Sequence, residues 1–389
     1  MMSRAAIRYA GTALVALLAI FLRVSAADVR VADTTAFRAA VAAAKPGTRI
    51  LLAGGTYAGG FHFTNLRGEP GRPIVIAAAD PANPPVFTAG NNGLHLSNPA
   101  HLELVGLTFT KLAHNGLNLD DGGRIKEPGS ARGITLRGLR ISDIGGDGNH
   151  DGIKLSGLWD FQVVDCTIER WGTKGGSAID MVGCHRGVIA ANVIRHNVPE
   201  PPNCTGVQGK GGTSDIVIRQ NRFEHAGGRG VNIGGGTGLQ FFRPALVEGS
   251  SHAEARNIHV EGNTFVGAMT PVAFAGVDGA VVRFNTIERP ARWALRILQE
   301  NKAPGFIACR DGQFTDNVIV FESTRWSEGG VNVGAGTAPE TFVFARNWWY
   351  CADQPERSRP RLPTPEQDGV YGRPVAEARG KAGADAWRP

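Results

Sequence analysis

Cysteine is scarce in this chain of 389 residues: there are five, an odd number, so at least one is unpaired. No Cys/His cluster has zinc-ligand spacing, which excludes a structural zinc module. Lysine and arginine number 41 against 35 acids, without the dense basic clustering of a nucleic-acid surface, so no nucleic-acid partner is expected. The one long apolar run, Ala10 to Leu22, is shorter than the roughly 20 residues a bilayer requires. Arg4 and Arg8 precede it and Val24-Ser25-Ala26 follows, the pattern of a cleavable secretory signal. We therefore expect residues 1–26 to be a signal peptide, the mature chain to be secreted or periplasmic, and no stable membrane insertion after cleavage. Removing that segment takes away three arginines and no acid, so the net charge falls from +6 to +3. Such a mildly basic surface does not by itself select a partner. Export permits disulfides; Cys184 with Cys204 and Cys309 with Cys351 are candidate bridges, whereas Cys166, at an inward-looking strand end, is read as a buried thiol.

What is present is a degenerate repeat of the form apolar-x-apolar-x-x-Asn-x-apolar. It reads IVIRQNRF ending at Phe223, IHVEGNTF at Phe265, AVVRFNTI at Ile287, FTDNVI at Ile319 and FVFARNWW at Trp349. Four earlier segments align with these, so one slot is filled in turn by Leu107, Leu139, Cys166, Asn192, Asn221, Asn263, Asn285, Asn317 and Asn347. Spacings such as 26 residues (Cys166 to Asn192) and 29 (Asn192 to Asn221) are too long for hairpins and carry no helical pattern between them. One coil of a solenoid fits them. Six asparagines in one slot suggest a ladder of stacked amides that satisfies buried backbone groups.

After each such segment comes a second, alternating one: NGLNLDD, DGIKLSG, SAIDMVG, TGVQGKG, RGVNIGG, TPVAFAG, WALRILQ and GGVNVGAG. Period-two alternation sends one set of side chains inward and the other outward. The fold class is thus all-β: a right-handed parallel β-helix over residues 27–352, with residues 353–389 as a loose C-terminal tail. Residues 34–45, TTAFRAAVAAAK stopped by Pro46-Gly47, predict a short helix that caps the open N-terminal end. Two insertions, near 237–253 and 300–312, interrupt the rungs, and such loops often shape a binding face.

The outward residues of the second segments form a row: Asn118, Lys154, Asp180, Gln208, Asn232, Ala273, Arg296 and Asn332. Two positions further along stand Asp120, Ser156, Val182, Lys210 and Gly234, which sets Lys210 beside Gln208 and diagonal to Asp180. Any exposed sheet face is polar and a lone surface lysine is usually just solvated. A mixture of Lys, Asp, Asn and Gln on consecutive rungs beneath a long insertion favours a functional patch instead.

Here the chain resembles a known family. The segments GTRILLAGGTYAGG, GEPGRPIVIAAADPANPPVF and LELVGLTFT, then HDGIKLSG and GVQGKGGTSDIVIRQNRF, are similar to the right-handed β-helix polysaccharide lyases related to chondroitinase B and the family-six alginate lyases. The resemblance implies that a lysine on the exposed sheet removes the C5 proton of a uronic acid, that an arginine one coil on assists the leaving group, and that Ca2+ neutralises the carboxylate. The family's lysine falls on Lys210, in a setting that also resembles the GF-x-x-K of a pectate lyase family. Its upstream substrate-binding arginine falls near Lys154. Its acid arginine should fall near Gly234, where this chain has none; Arg229, Arg296, His150 or water are the substitutes.

The expected reaction is therefore β-elimination of an acidic polysaccharide or oligosaccharide by a monomer, with Lys210 as base and Arg229 and His150 as further catalytic candidates. Lys154, Gln208, Asn232, Arg296 and Asn118 are the expected substrate contacts, and Asp180 and Asp151 the expected Ca2+ ligands, with Asp147 a third candidate. A free lysine titrates near 10.4, so neighbours must favour the neutral amine that a base requires. Lys154 or Arg229 would do so; Asp180 would oppose it unless a cation consumes its charge. Three other readings stay open. Glycoside hydrolysis needs two carboxylates about 5–9.5 Å apart, such as Asp180 with Asp151 or Asp120. A C5-epimerase would share the proton abstraction. Non-catalytic glycan binding would use Phe241, Phe242, Trp293 or Trp326 as platforms.

Overall fold

The computed structural model describes residues 28–196 and 203–373; the expected signal peptide and the last residues of the tail lie outside them. Within the described residues the chain winds into three parallel sheets of 12, 12 and ten strands. One coil runs Ala131–Arg137 in the first sheet, Arg140–Ile144 in the second and Ile153–Ser156 in the third, and the next begins at Leu158–Val164. The inward residues, such as Leu117, Ile153, Ile179, Val207 and Val272, are fully buried. Aromatic rings stack along the axis, Phe223 on Phe265 at 4.7 Å and Phe87 on Phe109 at 5.0 Å. No helix among the described residues is long and apolar enough to cross a membrane.

The repeat slot marks the bend between the first two sheets. The residue before it has a positive φ in all nine rungs, yet only Gly106, Gly138 and Gly262 are glycine; the others are Asp165, Ala191, Gln220, Phe284, Asp316 and Arg346. A left-handed non-glycine residue costs roughly 1–2 kcal/mol, so the bend needs compensation. The amide ladder supplies it. The Asn221 amide nitrogen donates to Asn263 Oδ1 at 3.0 Å and to the Ile189 carbonyl at 2.9 Å, while its backbone N–H also reaches Asn263 Oδ1 at 2.9 Å. The same pattern continues through Asn285 and Asn317 to Asn347.

Both ends are closed. The helix Thr34–Ala43 is capped by Asp33, whose carboxylate accepts from the Ala36 N–H at 2.8 Å, and its buried Phe37 packs edge-on against Phe61 at 5.0 Å. At the other end the tail is not loose through residue 373. Val370–Tyr371 adds a strand to Trp348–Cys351, and Glu366 accepts from Asn347 Nδ2 (2.7 Å), Trp349 Nε1 (3.0 Å) and the Tyr371 hydroxyl (2.7 Å). Glu366 thereby takes the slot of the next asparagine, a long-range role that its Pro- and Arg-rich surroundings concealed. The expected bridges are absent as well: all five cysteines are free and buried, Cys166 as anticipated.

Replacing Asn263 by Leu removes the acceptor shared by the backbone and side-chain amides of Asn221. At about 1–3 kcal/mol per unpaired buried group, the expected loss is roughly 2–4 kcal/mol in urea denaturation. Reductant should leave the unfolding midpoint of the parent protein unchanged.

Candidate functional site

Alternation along the third sheet and the in-register stacking of coils bring the outward row together as read from the sequence. Asn118 pairs with Lys154, Lys154 with Asp180, Asp180 with Gln208 and Gln208 with Asn232, and Val182 pairs with Lys210. At the centre Asp180 is shared by two lysines. Its Oδ2 accepts a hydrogen bond from Lys154 Nζ and lies 3.7 Å from Lys210 Nζ. Lys154 Nζ is also 3.7 Å from Asp151 Oδ2, while Asp151 Oδ1 accepts the Ser177 N–H at 2.7 Å. Both carboxylates are buried, and among the described residues Asp180 Oδ1 has no hydrogen-bond partner. Burial, then the charge of Asp180, pushes the Asp151 carboxyl up to about 7. For Lys154, burial works against the charge, but Asp180 and Asp151 outweigh it and its ammonium is held above the ordinary range.

The two lysines open into a cleft of roughly 730 Å³. Asn118, Asp120, Lys154, Ser156, Val182 and Lys210 form its floor, and the loop at Asp121–Gly123 and the insertion from Gly236 to Arg243 also line it. Arg243 joins these two segments: its Nε meets Asp121 Oδ2 at 2.5 Å and Nη2 meets Oδ1 at 3.2 Å. Its backbone N–H donates to Gly211 O at 3.1 Å, and its carbonyl lies 3.1 Å from His185 Nε2. The strap lies so close to the coils that a Cβ on Gly183 would stand 2.4 Å from Arg243 Cβ. Behind Lys210, the fully buried Glu254 accepts from the Gly211 and Thr237 N–H groups, the Thr237 hydroxyl and Asn301 Nδ2, tying both insertions to the lysine's turn. At the far end of the floor, burial opposes ionisation of Asp120, but hydrogen bonds led by His95 (2.6 Å) hold its carboxyl below the ordinary range.

Of the expected site residues, Lys210, Lys154 and Asn118 border this cleft. Arg229 does not; its backbone pairs with Thr205, five residues before Lys210, and its guanidinium is bound to Glu300 (2.6 Å) and Asn232 Oδ1 (3.0 Å). His150 also stands outside, stacked on His114 at 4.8 Å. Asn232 is buried by its bonds to Arg229 and the Gly234 carbonyl, Gln208 lies 3.5 Å from the Ser177 hydroxyl, and Arg296 is held by Asn332 and the Trp293 ring. Gly234 excludes any arginine: its φ is +94° and a Cβ would lie 1.9 Å from the Ala275 carbonyl oxygen.

The expected Ca2+ ligands are engaged by the protein's own groups. Ca2+ takes six to eight oxygens, whereas Asp151 and Asp180 each give one oxygen to the Lys154 ammonium and Asp151 gives its other to Ser177. Asp147 is exposed and paired with Lys174 at 2.6 Å. Among the described residues no group of three or more His, Cys, Asp or Glu is arranged to hold a metal. The residues that sequence reading missed, Asp121, Arg243 and Glu254, gave no signal beyond the insertion itself.

A family model described as "Right handed beta helix region" matches residues 92–287. No curated protein sequence matches the chain. Among solved structures, an alginate lyase from Paenibacillus sp. str. FPU-7 aligns over 78% of this chain and 99% of its own at 20% identity and a TM-score of 0.53. A PL6 family polysaccharide lyase from Pseudopedobacter saltans aligns over 88% and 91% at 13% identity and 0.49. A GH136 lacto-N-biosidase from Eubacterium ramulus aligns over 88% and 68% at 13% identity and 0.46. At these identities the likeness is one of fold.

The raised Asp151 carboxyl has a signed consequence. Between its ordinary 3.8 and about 7, the folded protein holds a proton that the unfolded chain has released. The associated stability is full below pH 4 and is lost as pH rises through 7. Comparing urea midpoints at pH 6 and pH 8, Asp151→Asn should flatten the fall seen in the parent; an equal fall in both would assign it elsewhere.

Proposed function

The chain belongs to the right-handed β-helix family, and we propose that on this scaffold it is an exported lyase that cleaves a uronate-containing polysaccharide by β-elimination. The observation that carries the reading is the Lys210 amine on the floor of the cleft, 3.7 Å from a carboxylate it shares with Lys154. Lys210 Nζ takes the C5 proton of a bound uronate; the electron pair forms the C4=C5 double bond and the C4–O bond breaks. Lys154, bordering the same floor, faces the charge that develops on the sugar carboxylate. The departing oxygen takes its proton from water, since Arg229 and His150 do not border the cleft. The alginate lyase from Paenibacillus supports the scaffold, not the substrate.

The purified protein, incubated with alginate, polygalacturonate, glucuronan and dermatan, should produce the ultraviolet absorbance of unsaturated uronate on one of them. Lys210→Met should lower kcat about 10²–10⁴-fold, the range for a positioned general base. Reducing ends without absorbance would select hydrolysis, and inverted C5 configuration without cleavage would select epimerisation. No chemistry on any polymer would sink the lyase reading.

A further inference from the structure

Of the four aromatics that could meet a sugar, three are committed elsewhere. Phe242 is buried and packs edge-on to Phe306 at 5.3 Å, Trp293 is buried beside Arg292 and Arg296, and Trp326 is stacked on Phe321 at 3.8 Å. Phe241 alone stands open, 53% exposed, and lines the cleft. It immediately precedes Phe242, so the chain sends one ring into the fold and its neighbour into the cleft.

The backbone beneath that ring is held at three points. Phe241 N–H donates to Gly238 O at 2.9 Å, its carbonyl accepts from Arg243 Nη1 at 2.9 Å, and Arg243 is itself clamped to Asp121. An aromatic side chain with two χ angles on a pinned backbone has little freedom to lose on binding. A pyranose ring presents C–H groups on its faces and hydroxyls at its edges. The cleft offers the matching pair of surfaces: an apolar ring from the insertion, and the amide, hydroxyl and amine groups of Asn118, Ser156, Lys154 and Lys210 on the floor. From this juxtaposition we propose that Phe241 is a stacking platform for one pyranose ring of the acidic polysaccharide, a specificity-determining residue supplied by the insertion rather than by the β-helix. The inference rests on the reading that this cleft takes carbohydrate; it does not require elimination to occur.

The test uses the full mature chain and size-defined oligouronates from alginate and polygalacturonate, titrated calorimetrically into the Lys210→Met variant so that they stay intact. Phe241→Ala on that background should weaken binding about tenfold, an offset consistent with the loss of one aromatic contact. Phe241→Trp should hold affinity within about threefold, since the larger ring keeps the stacking face. Val247→Ala, which removes another exposed apolar side chain of the same insertion, should bind as the parent does. Unchanged affinity in Phe241→Ala, or an equal loss in Val247→Ala, would overturn the proposal. Phe241-dependent binding by a parent that forms no unsaturated product keeps the platform and discards elimination. Elimination with affinity indifferent to Phe241 discards the platform alone, and a parent that binds neither oligouronate overturns it too.

Discussion

The structure depends on a single constraint: each coil must lie in register on the one before it. A one-residue slip in a strand turns every side chain to the other face, so a row of outward residues exists only while register holds. The asparagine ladder enforces it at the bend between the first two sheets. Each amide bonds both the next asparagine and a main-chain carbonyl of the preceding coil, a pattern that no shifted pairing reproduces. Left-handed residues such as Gln220, Phe284 and Arg346 are tolerated at the bend because the ladder over-determines it. Glu366 extends the same constraint into the tail by supplying the last acceptor.

Register also explains the cluster on the third sheet. Strands about 4.8 Å apart would hold Lys154 and Lys210, two coils from each other, too far apart for direct contact but close enough to share a group between them. Asp180, on the intervening coil, is that group. The cluster is a product of the solenoid's geometry: three residues far apart in sequence, placed by pairing alone. The insertion then covers one side of it, and glycines at the coil corner, Gly183 among them, leave room for Arg243 to lie against the coils.

The rungs, the inner and outer faces and the adjacency of Lys154, Asp180 and Lys210 were legible because they follow from a period and an alternation, both local properties of the chain. What was not legible came from contacts without a period. Arg243 meets Asp121 across 122 residues, and Glu254 collects donors from Gly211, Thr237 and Asn301. Arg229 looked available because its rung position was known but its partner, Glu300 in the second insertion, was not. The departure at Gly234 was visible as a missing arginine. Its reason, a left-handed glycine closed against the Ala275 carbonyl, belongs to the backbone alone.

The charges of the cluster give the cleft its polarity. Two buried carboxylates this close cannot both ionise cheaply, and burial together with Asp180 keeps a proton on Asp151 up to about pH 7. The geometry agrees: both amines converge on the same Asp180 oxygen, while Asp151 gives one oxygen to a backbone N–H. The Lys154 ammonium and the carboxylate it shares with Lys210 thus meet beside a partly enclosed space, where electrostatic interactions exceed those in bulk water. The burial of Asp151, a cost if only stability is considered, thus leaves Asp180 as the carboxylate on which both amines converge.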